Sequence, residues 1–222
     1  MADLTLYEFA HSPFCISIAR TLEALGVPFA RVEVSSWDRS EIARLTEGQY
    51  YQVPVLVHGG KVVYESGGDS QDVARYVEAQ FGRRKLFPAS AEGVQEILLE
   101  YIEEKVEDLT FKLVDPFYVD SIAEVGARTM VVRHKERKFG RGCIEAWRRD
   151  REALRAQADR LLARFEAMLG RTPFLLGDTP VYADFSLYGI LGNLTYKGYN
   201  RLSPEQRALQ VWYQRLAAFR YA

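Results

Sequence analysis

The stretch that decides the fold is LTLYEFAHSPFCISIARTLEALGVPFARVEV, residues 4–34. Residues 4–9 alternate between apolar and polar side chains, as a half-buried strand does, and residues 16–25 carry apolar side chains at helical spacing. Residues 29–34 follow as a second strand. A strand, a helix and a strand joined by short connections form a right-handed crossover unit, so the two strands are predicted to lie parallel in one sheet.

Two more strands and a helix complete this first unit. Residues 54–57 and 61–64 are strand-like runs on either side of a glycine-containing turn, so they are predicted to pair antiparallel. A weakly helical piece precedes them, and residues 70–81 place apolar side chains on one face of a helix. Residues 1–81 are therefore expected to form a four-stranded mixed sheet with three helices.

The composition changes after residue 81. Residues 82–91 are basic, short and interrupted by Pro88, and no strand pattern returns beyond them. Apolar side chains then step around long helices, and residues 183–194 are apolar nearly all round, as a helix at the centre of a bundle is. The sequence predicts a linker at 82–91 and an all-helical domain at 92–222.

Composition narrows the class of protein. The 222 residues are 48% hydrophobic and 27% charged, which is typical of a globular protein, and 29 basic against 30 acidic residues give a net charge of −1. This balance predicts neither a nucleic-acid partner nor an anionic membrane partner. The acidic N-terminus is unlike a targeting signal, and the two distant cysteines fit a reducing compartment, so a cytoplasmic location is expected.

Charge is unevenly placed along the helical part. Residues 92–124 hold ten acids and two bases, whereas residues 133–160 hold ten bases and five acids. Antiparallel helices that pair their exposed faces would explain the pattern. A dimer contact or a cleft that attracts anions is the alternative.

The segment His11-Ser12-Pro13-Phe14-Cys15 lies between the first strand and the first helix. A serine followed by proline is typical of a helix start, with Ser12 as the N-cap. In that position its hydroxyl also lies beside free backbone N–H groups and the positive end of the helix dipole, where a thiolate is stabilised. Lowering a thiol pKa from about 8.5 to about 6.5 requires roughly 2.7 kcal/mol, within reach of one charge-assisted hydrogen bond and the dipole.

Two further segments carry polar groups at the ends of elements. Pro54, in Gln-Val-Pro-Val-Leu, lies at the edge or the start of a strand, where the backbone of Val53 is free to bind an extended peptide. In Glu65-Ser-Gly-Gly-Asp-Ser70, the last serine is a predicted helix N-cap. An acid beside it suits an ammonium group, and the helix start suits a carboxylate.

Taken together and in this order, the three segments resemble the glutathione transferase superfamily. Residues 1–81 look like its thioredoxin-like domain and residues 92–222 look like its all-helical domain, so the resemblance covers nearly the whole chain. Within the superfamily, Ser-Pro-x-Cys at 12–15, Arg-Lys-Phe-Gly at 137–140 and the segment 177–185 are most similar to bacterial and fungal beta-etherase-like members.

The resemblance implies a role for each matched residue. Ser12 would activate the sulfur of glutathione, the co-substrate, and the backbone of Val53 before a cis-Pro54 would bind its cysteinyl part. An acid–serine pair would hold the γ-glutamyl group. Counting forward from Pro54 gives Glu65 and Ser66, whereas counting back from Tyr76 gives Asp69 and Ser70. Asp69 and Ser70 are preferred, because the serine is needed at a helix N-terminus. Glu65 and Ser66 remain the alternative pair.

The expected function is a homodimeric transferase that joins glutathione to a small hydrophobic electrophile. Aromatic residues of the helical domain are candidates for the electrophile pocket: Phe111, Phe117, Tyr118, Tyr196 and Tyr199. Two alternatives remain, namely a thiol transferase that uses Cys15 and a glutathione-binding protein without activity. No metal-binding spacing occurs, and Tyr7 ranks below Ser12 as the activating residue.

The helix at 183–194 departs from the family in one respect. Relatives carry serine or threonine three residues before its aspartate, whereas this chain has Val181 before Asp184. Thr179 and Pro180 are candidates to cap the helix from further upstream. Asp184 is expected to be buried and bonded to backbone N–H groups near 179–181, because an unpaired buried carboxylate would cost several kcal/mol.

Overall fold

The computed structural model describes residues 3–67 and 71–222. Four strands form one sheet in the order β2-β1-β3-β4. Their bounds are β1 Leu4–Glu8, β2 Ala30–Glu33, β3 Val55–His58 and β4 Lys61–Val63. β1 pairs parallel with β2 and antiparallel with β3, and β3 pairs antiparallel with β4. The predicted mixed sheet and both predicted pairings are confirmed.

Among the described residues, three helices accompany the sheet: α1 Pro13–Ala24, α2 Ser40–Leu45 and α3 Asp72–Val77. The last is shorter than the predicted helix over 70–81, because a π-helical turn at Glu78–Gly82 continues it. The predicted N-cap Ser70 lies outside the described residues. α1 turns Ile18 and Leu22 into the same core as Leu6 of β1, and this packing fixes the helix on the sheet.

The chain after residue 91 is helical where the structure describes it. Its helices are α4 Glu92–Glu100, α5 Glu107–Ser121, α6 Val125–Phe139, α7 Cys143–Arg149, α8 Arg151–Leu169, α9 Tyr182–Leu194 and α10 Arg207–Ala218. No helix among the described residues combines the length and the apolar character that crossing a membrane requires.

A π-helical turn, Tyr101–Val106, separates α4 from α5. The apolar spacing from Val94 to Leu109 predicts one continuous helix, and the structure differs here. A π turn holds more residues than an α turn, so it shifts the faces that the following residues present. Such turns are frequent at functional sites.

α9 lies at the centre of the molecule, as its uniformly apolar sequence predicts. Its residues Leu187 and Leu191 are fully buried, and it packs along α1 of the sheet domain. Gly189 permits this contact, because a Cβ atom there would overlap the Pro13 carbonyl oxygen and the Ser17 hydroxyl. The amide of Asn193 also donates to the His11 carbonyl oxygen, at 2.6 Å.

Ion pairs join the acidic and basic stretches of the helical part. Lys135 of α6 lies 2.5 Å from Asp115 of α5, and Arg148 of α7 lies 2.6 Å from Asp120. The charge pattern is therefore explained at least in part by neighbouring helices that pair with one another.

Candidate functional site

Ser12 lies between the end of β1 and the start of α1, directly before Pro13. Its backbone N–H donates to the Phe9 carbonyl oxygen at 2.9 Å, and its hydroxyl oxygen accepts the Cys15 N–H at 3.4 Å. The predicted N-cap, with proline at the first helical position, is confirmed. Because the oxygen is the acceptor in this cap, the hydroxyl proton remains able to donate to a negatively charged atom.

Cys15 points away from solvent, into a core cluster with Phe9 and Val55. Its side chain is fully buried. Burial raises the pKa of the Cys15 thiol to about 12, although a hydrogen bond with Ser12 opposes the shift. At neutral pH the group is therefore an uncharged thiol that packs as a small apolar side chain. Tyr7 of β1 packs against the same cluster.

We expect Cys15 to resist alkylation in the folded protein. A thiol reacts as its thiolate, and both burial and the raised pKa deplete that form. Iodoacetamide at neutral pH, followed by peptide mass spectrometry, should leave Cys15 unmodified in the native protein and modify it fully in urea. Stoichiometric labelling of native Cys15 would contradict this placement.

Val53 and Pro54 come immediately before β3, and the peptide bond between them is cis. The ladder between β1 and β3 ends at the pair Tyr7 and Val55, so Val53 lies just beyond it. Arg39 fixes the segment from the side of α2, since its guanidinium donates to the Tyr51 carbonyl oxygen and the Gln52 side chain.

A cavity of about 720 Å³ lies between the sheet domain and the helical domain. The sheet domain contributes Phe14, Val53, Pro54 and Glu65 to its lining, among others. The helical domain contributes four charged side chains, Glu103, Glu104, Glu107 and Lys138. The cavity therefore joins two segments that the sequence singled out, at 53–54 and at 65, to a charged wall that it did not. Ser12 is not among the lining residues, although Phe14 of the same helix start is.

Glu65 reaches the start of α3 as well as the cavity. Its carboxylate accepts the Asp72 N–H at 2.8 Å and the Val73 N–H at 3.3 Å. In return, Asp72 accepts the N–H and the hydroxyl of Ser66, at 2.8 and 3.0 Å. Burial raises the pKa of Glu65 to about 8, and the two backbone hydrogen bonds oppose the shift.

The two predicted acid–serine pairs differ in what can be described. Glu65 lines the cavity that holds Val53, whereas Ser66 is exposed and engaged with Asp72. Asp69 and Ser70 lie outside the described residues, so their place relative to the cavity stays a prediction.

Glu103 and Glu107 occupy different environments on the helical wall. Glu103 accepts hydrogen bonds from Gln71 at 2.9 Å and from Ser186 of α9 at 2.8 Å. Burial raises the pKa of Glu107 to about 7, against the opposing charges of Lys135 and Lys138. The sequence showed these acids only as part of a charged stretch, and their helical spacing on one face was the one available signal.

The aromatic candidates lie elsewhere. Of Phe111, Phe117, Tyr118, Tyr196 and Tyr199, none is among the described residues that line the 720 Å³ cavity. Phe111 packs edge-on against Trp147, and Phe117 stacks on Tyr199. The expectation that they surround the electrophile beside Val53 is therefore not met in this cavity. Phe111 and Phe117 of α5 instead pack against aromatic rings from other parts of the helical domain.

Tyr118 and Tyr196 instead line a second cavity, of about 380 Å³, together with His11. The His11 ring stacks on Tyr118 with 3.9 Å between ring centroids. Burial, aided by the charges of Lys135, Lys197 and Arg39, lowers the pKa of His11 to about 4. The imidazole is therefore neutral at physiological pH and acts here as an aromatic packing group.

This arrangement defines a two-domain protein in which a thioredoxin-like sheet domain and a helical domain enclose a cleft. The family model described as glutathione S-transferase, N-terminal domain, matches residues 6–85. The model described as glutathione S-transferase, C-terminal domain, matches residues 145–215. The chain belongs to the glutathione S-transferase superfamily. Residues 86–144, which hold α4 to α6, lie between the two matched segments.

Similarity to individual proteins is distant. A probable glutathione S-transferase of Nicotiana tabacum is 28% identical over 88 residues, which cover 40% of this chain and 38% of that protein. The chain thus matches well under two thirds of that relative's length.

Solved structures match nearly the whole chain at low identity. A glutathione transferase of Phanerochaete chrysosporium has a TM-score of 0.79 at 18% identity, over 99% of this chain and 98% of that one. A theta class glutathione S-transferase of Xanthomonas axonopodis pv. citri with glutathione bound has a TM-score of 0.68 at 22% identity, over 98% of this chain and 94% of that one. A beta-etherase of Sphingobium sp. strain SYK-6 has a TM-score of 0.68 at 19% identity, over 98% of this chain and 96% of that one. These likenesses show the fold.

Proposed function

We propose that the protein is a glutathione transferase in which the Ser12 hydroxyl stabilises the thiolate of glutathione for attack on an electrophile. The observation that carries the proposal is the cap of α1, where the Ser12 oxygen accepts the Cys15 N–H. The hydroxyl proton can then turn toward a bound thiolate. Cys15, the competing group, is buried as a neutral thiol.

The reaction needs the hydroxyl to favour thiolate over thiol. The glutathione S–H loses its proton to solvent, and Ser12 donates a hydrogen bond to the resulting sulfur anion. The sulfur then forms a bond to the electrophilic carbon while another bond at that carbon breaks, and the electron pair of the broken bond passes to a leaving group or, in an addition, to the neighbouring atom. Binding thiol and thiolate equally well would not accelerate this step, so the preference for the anion is the catalytic contribution of Ser12.

The remainder of glutathione has candidate partners in the 720 Å³ cavity. In this proposal the backbone of Val53, just beyond the end of the β1–β3 ladder, binds the cysteinyl part by strand-type hydrogen bonds. Glu65, which lines the same cavity, binds the ammonium group of the γ-glutamyl part in this proposal. That cation would favour the ionised form of Glu65 against the burial that raises its pKa to about 8. The Asp69–Ser70 pair is the alternative for that group. A homodimer in the cytoplasm completes the proposal, and the exposed apolar residues Val94 and Ile97 of α4 are available for a subunit contact.

Two measurements on the purified protein test the proposal. Glutathione should raise the midpoint of thermal unfolding, since a ligand that binds only the folded state stabilises it. A panel of electrophiles should then show glutathione-dependent turnover. Binding without turnover of any electrophile would favour the non-catalytic alternative, and no binding at all would refute the proposal.

Ser12→Ala is expected to reduce turnover by about tenfold or more, the effect of losing one hydrogen bond of about 1.5 kcal/mol to the thiolate. The same change should raise the pKa of bound glutathione, measured from thiolate ultraviolet absorbance against pH. Cys15→Ala is the matched control three residues along α1, and it should leave the rate nearly intact. A dispensable Ser12 with an essential Cys15 would transfer the assignment to thiol–disulfide chemistry.

A further inference from the structure

Acidic side chains outnumber basic ones on the walls of the 720 Å³ cavity. Among the described residues that line it, four carry a carboxyl group and one carries an amine. Glu65 comes from the sheet domain. Glu103 and Glu104 come from the π turn before α5, and Glu107 is the first residue of α5. The amine is that of Lys138 in α6, so the cavity is short of positive charge.

Three of these carboxyl groups have contacts within the protein. Glu65 is held by two backbone N–H groups of α3, and Glu103 accepts the hydroxyl of Ser186. Uncharged donors of this kind stabilise a carboxylate without cancelling its net charge. Glu104 lies 3.8 Å from Lys105, but both side chains are more than half exposed, and such surface pairs contribute little. None of these contacts brings a buried positive charge to the cavity.

Glu107 differs from the other three in its lack of a partner. Among the described residues, no hydrogen bond or ion pair engages its carboxyl group, and burial raises the pKa of this group to about 7. The charged groups of α5 and α6 that act on it are Lys135, Lys138, Asp108 and Asp115. Lys135 pairs with Asp115 at 2.5 Å, and Asp108 pairs with Lys112 at 2.7 Å. Of the two lysines that act on Glu107, Lys138 alone has no ion pair with a described residue.

Glutathione does not supply the missing positive charge. At neutral pH the tripeptide carries two carboxylates and one ammonium group, and in the proposed function Glu65 binds that ammonium group. The acids of the helical wall, at 103–107, then face no cation of glutathione. A carboxylate in a partly buried cavity is stabilised by an opposite charge close to it. The loaded cavity therefore favours a second molecule that is positively charged.

We propose that the second substrate carries an organic ammonium group, and that Glu107 selects for its positive charge. The inference rests on the proposed glutathione transferase function and adds the charge of the electrophile. The thiolate sulfur bonds to the electrophilic carbon, and the leaving group departs with the electron pair of the broken bond. Glu107 acts by its charge across the cavity, which requires no contact with Ser12 or with the sulfur. It determines specificity and takes no part in the chemical step.

Three electrophiles that differ in charge test this specificity. They are chloroacetanilides with a trimethylammonium, a tert-butyl or a carboxylate group at the para position, and in each the sulfur displaces chloride from the same carbon. The first two groups have nearly the same size, so a difference between them reports charge. Each kcat/KM is divided by the rate constant of the uncatalysed reaction with glutathione. We expect the cation to exceed the neutral compound by about tenfold, as one charge pair in a partly solvated site gives, and the anion to be the slowest.

Two variants separate the charge of Glu107 from the general charge of the acidic stretch. Glu107→Gln keeps the size of the side chain, and it should reduce the preference for the cation over the neutral compound from about tenfold to about twofold or less. Glu100 is an exposed acid at the end of α4 and does not line the cavity. Glu100→Gln should therefore keep the preference. Thermal unfolding shows whether each variant is folded.

A cation that cannot react gives a readout independent of turnover. Phenyltrimethylammonium, titrated calorimetrically into the protein loaded with glutathione, should bind more tightly as the pH rises through about 7, because Glu107 becomes ionised there. Glu65, Glu103 and Glu104 face the same cavity and add to its negative charge. Glu107→Gln should weaken both the affinity and its dependence on pH, whereas Glu100→Gln should change neither.

Three outcomes would overturn the proposal. They are no preference for the cationic compound, a preference that survives in Glu107→Gln, and an equal loss of preference in Glu100→Gln. A folded protein that binds glutathione and converts none of the three compounds would instead refute the proposed transferase function. Binding of phenyltrimethylammonium would then still decide the role of Glu107, so the two failures are distinguishable.

Discussion

Replacing Gly189 by alanine is expected to lower the free energy of unfolding by about 3 kcal/mol, at the upper end of the usual cost of overpacking. The added Cβ would overlap the Pro13 carbonyl oxygen and the Ser17 hydroxyl of α1. The carbonyl belongs to the backbone, so it cannot rotate away as a flexible side chain does. Relief requires that α1 and α9 move apart.

Gly93→Ala is the matched control for this change. Gly93 is also a helical glycine, in α4, but nothing lies within 4 Å of a Cβ built there. Alanine is the better helix former by about 1 kcal/mol, so this variant should be as stable as the original or more stable. The free energy of unfolding of both variants can be measured by urea unfolding monitored by circular dichroism. Equal stability of the two variants would show that the close contact is not required.

Asp184→Ala should also lower the free energy of unfolding by about 3 kcal/mol. The carboxylate of Asp184 is completely buried and accepts the N–H groups of Leu175 and Val181, each at 3.0 Å, and the indole N–H of Trp212 at 2.9 Å. Removing it leaves three buried donors without an acceptor, at about 1 kcal/mol or more each.

Two comparisons sharpen this prediction. Asp178→Ala, at an exposed position in the segment before α9, should change stability by less than about 0.5 kcal/mol. Asp184→Asn should also be destabilised, because its amide would set an N–H group against a donor. An unchanged urea midpoint for Asp184→Ala would refute the bridging role.

The Asp184 variants should respond to pH in a defined direction. Burial raises the pKa of Asp184 from 3.8 to about 6, so the folded protein binds this proton more tightly than the unfolded chain. The stability that comes from the raised pKa is present below pH 4 and is lost as the pH rises to about 6. The cost of Asp184→Ala should therefore be larger at pH 4 than at pH 7.

Local patterns were sufficient to predict the fold of the sheet domain. Alternation in β1, helical spacing in α1 and the Ser12-Pro13 start each arise from neighbouring residues, so they are readable in the sequence. The same holds for α9, whose apolar residues on every side require burial. The boundaries at 81 and 92 remain predictions, although the π turn after α3 ends at Gly82 and α4 begins at Glu92.

Contacts between distant segments account for what the sequence did not predict. The hydroxyl missing at Val181 is not needed, because the Asp184 backbone N–H donates instead to the Val181 carbonyl oxygen at 2.9 Å. Leu175 and Trp212 supply further donors to the Asp184 carboxylate from elsewhere in the chain. The expected bond from the backbone near 179–181 is present at Val181. Likewise, Glu107 lines the cavity together with Lys138 of α6 and residues of the sheet domain, which are distant in sequence.

The close contact between α1 and α9 limits which domains of related proteins can be combined with a domain of this chain. α1 covers the sheet with one side and meets α9 with the other, at a distance that only a glycine allows. A chimera that joined residues 1–81 to the helical half of a distant relative would bring together helix surfaces that were not matched to each other. Exchange of either half with that of a relative should therefore yield folded hybrids only when α1 and α9 are inherited from the same parent.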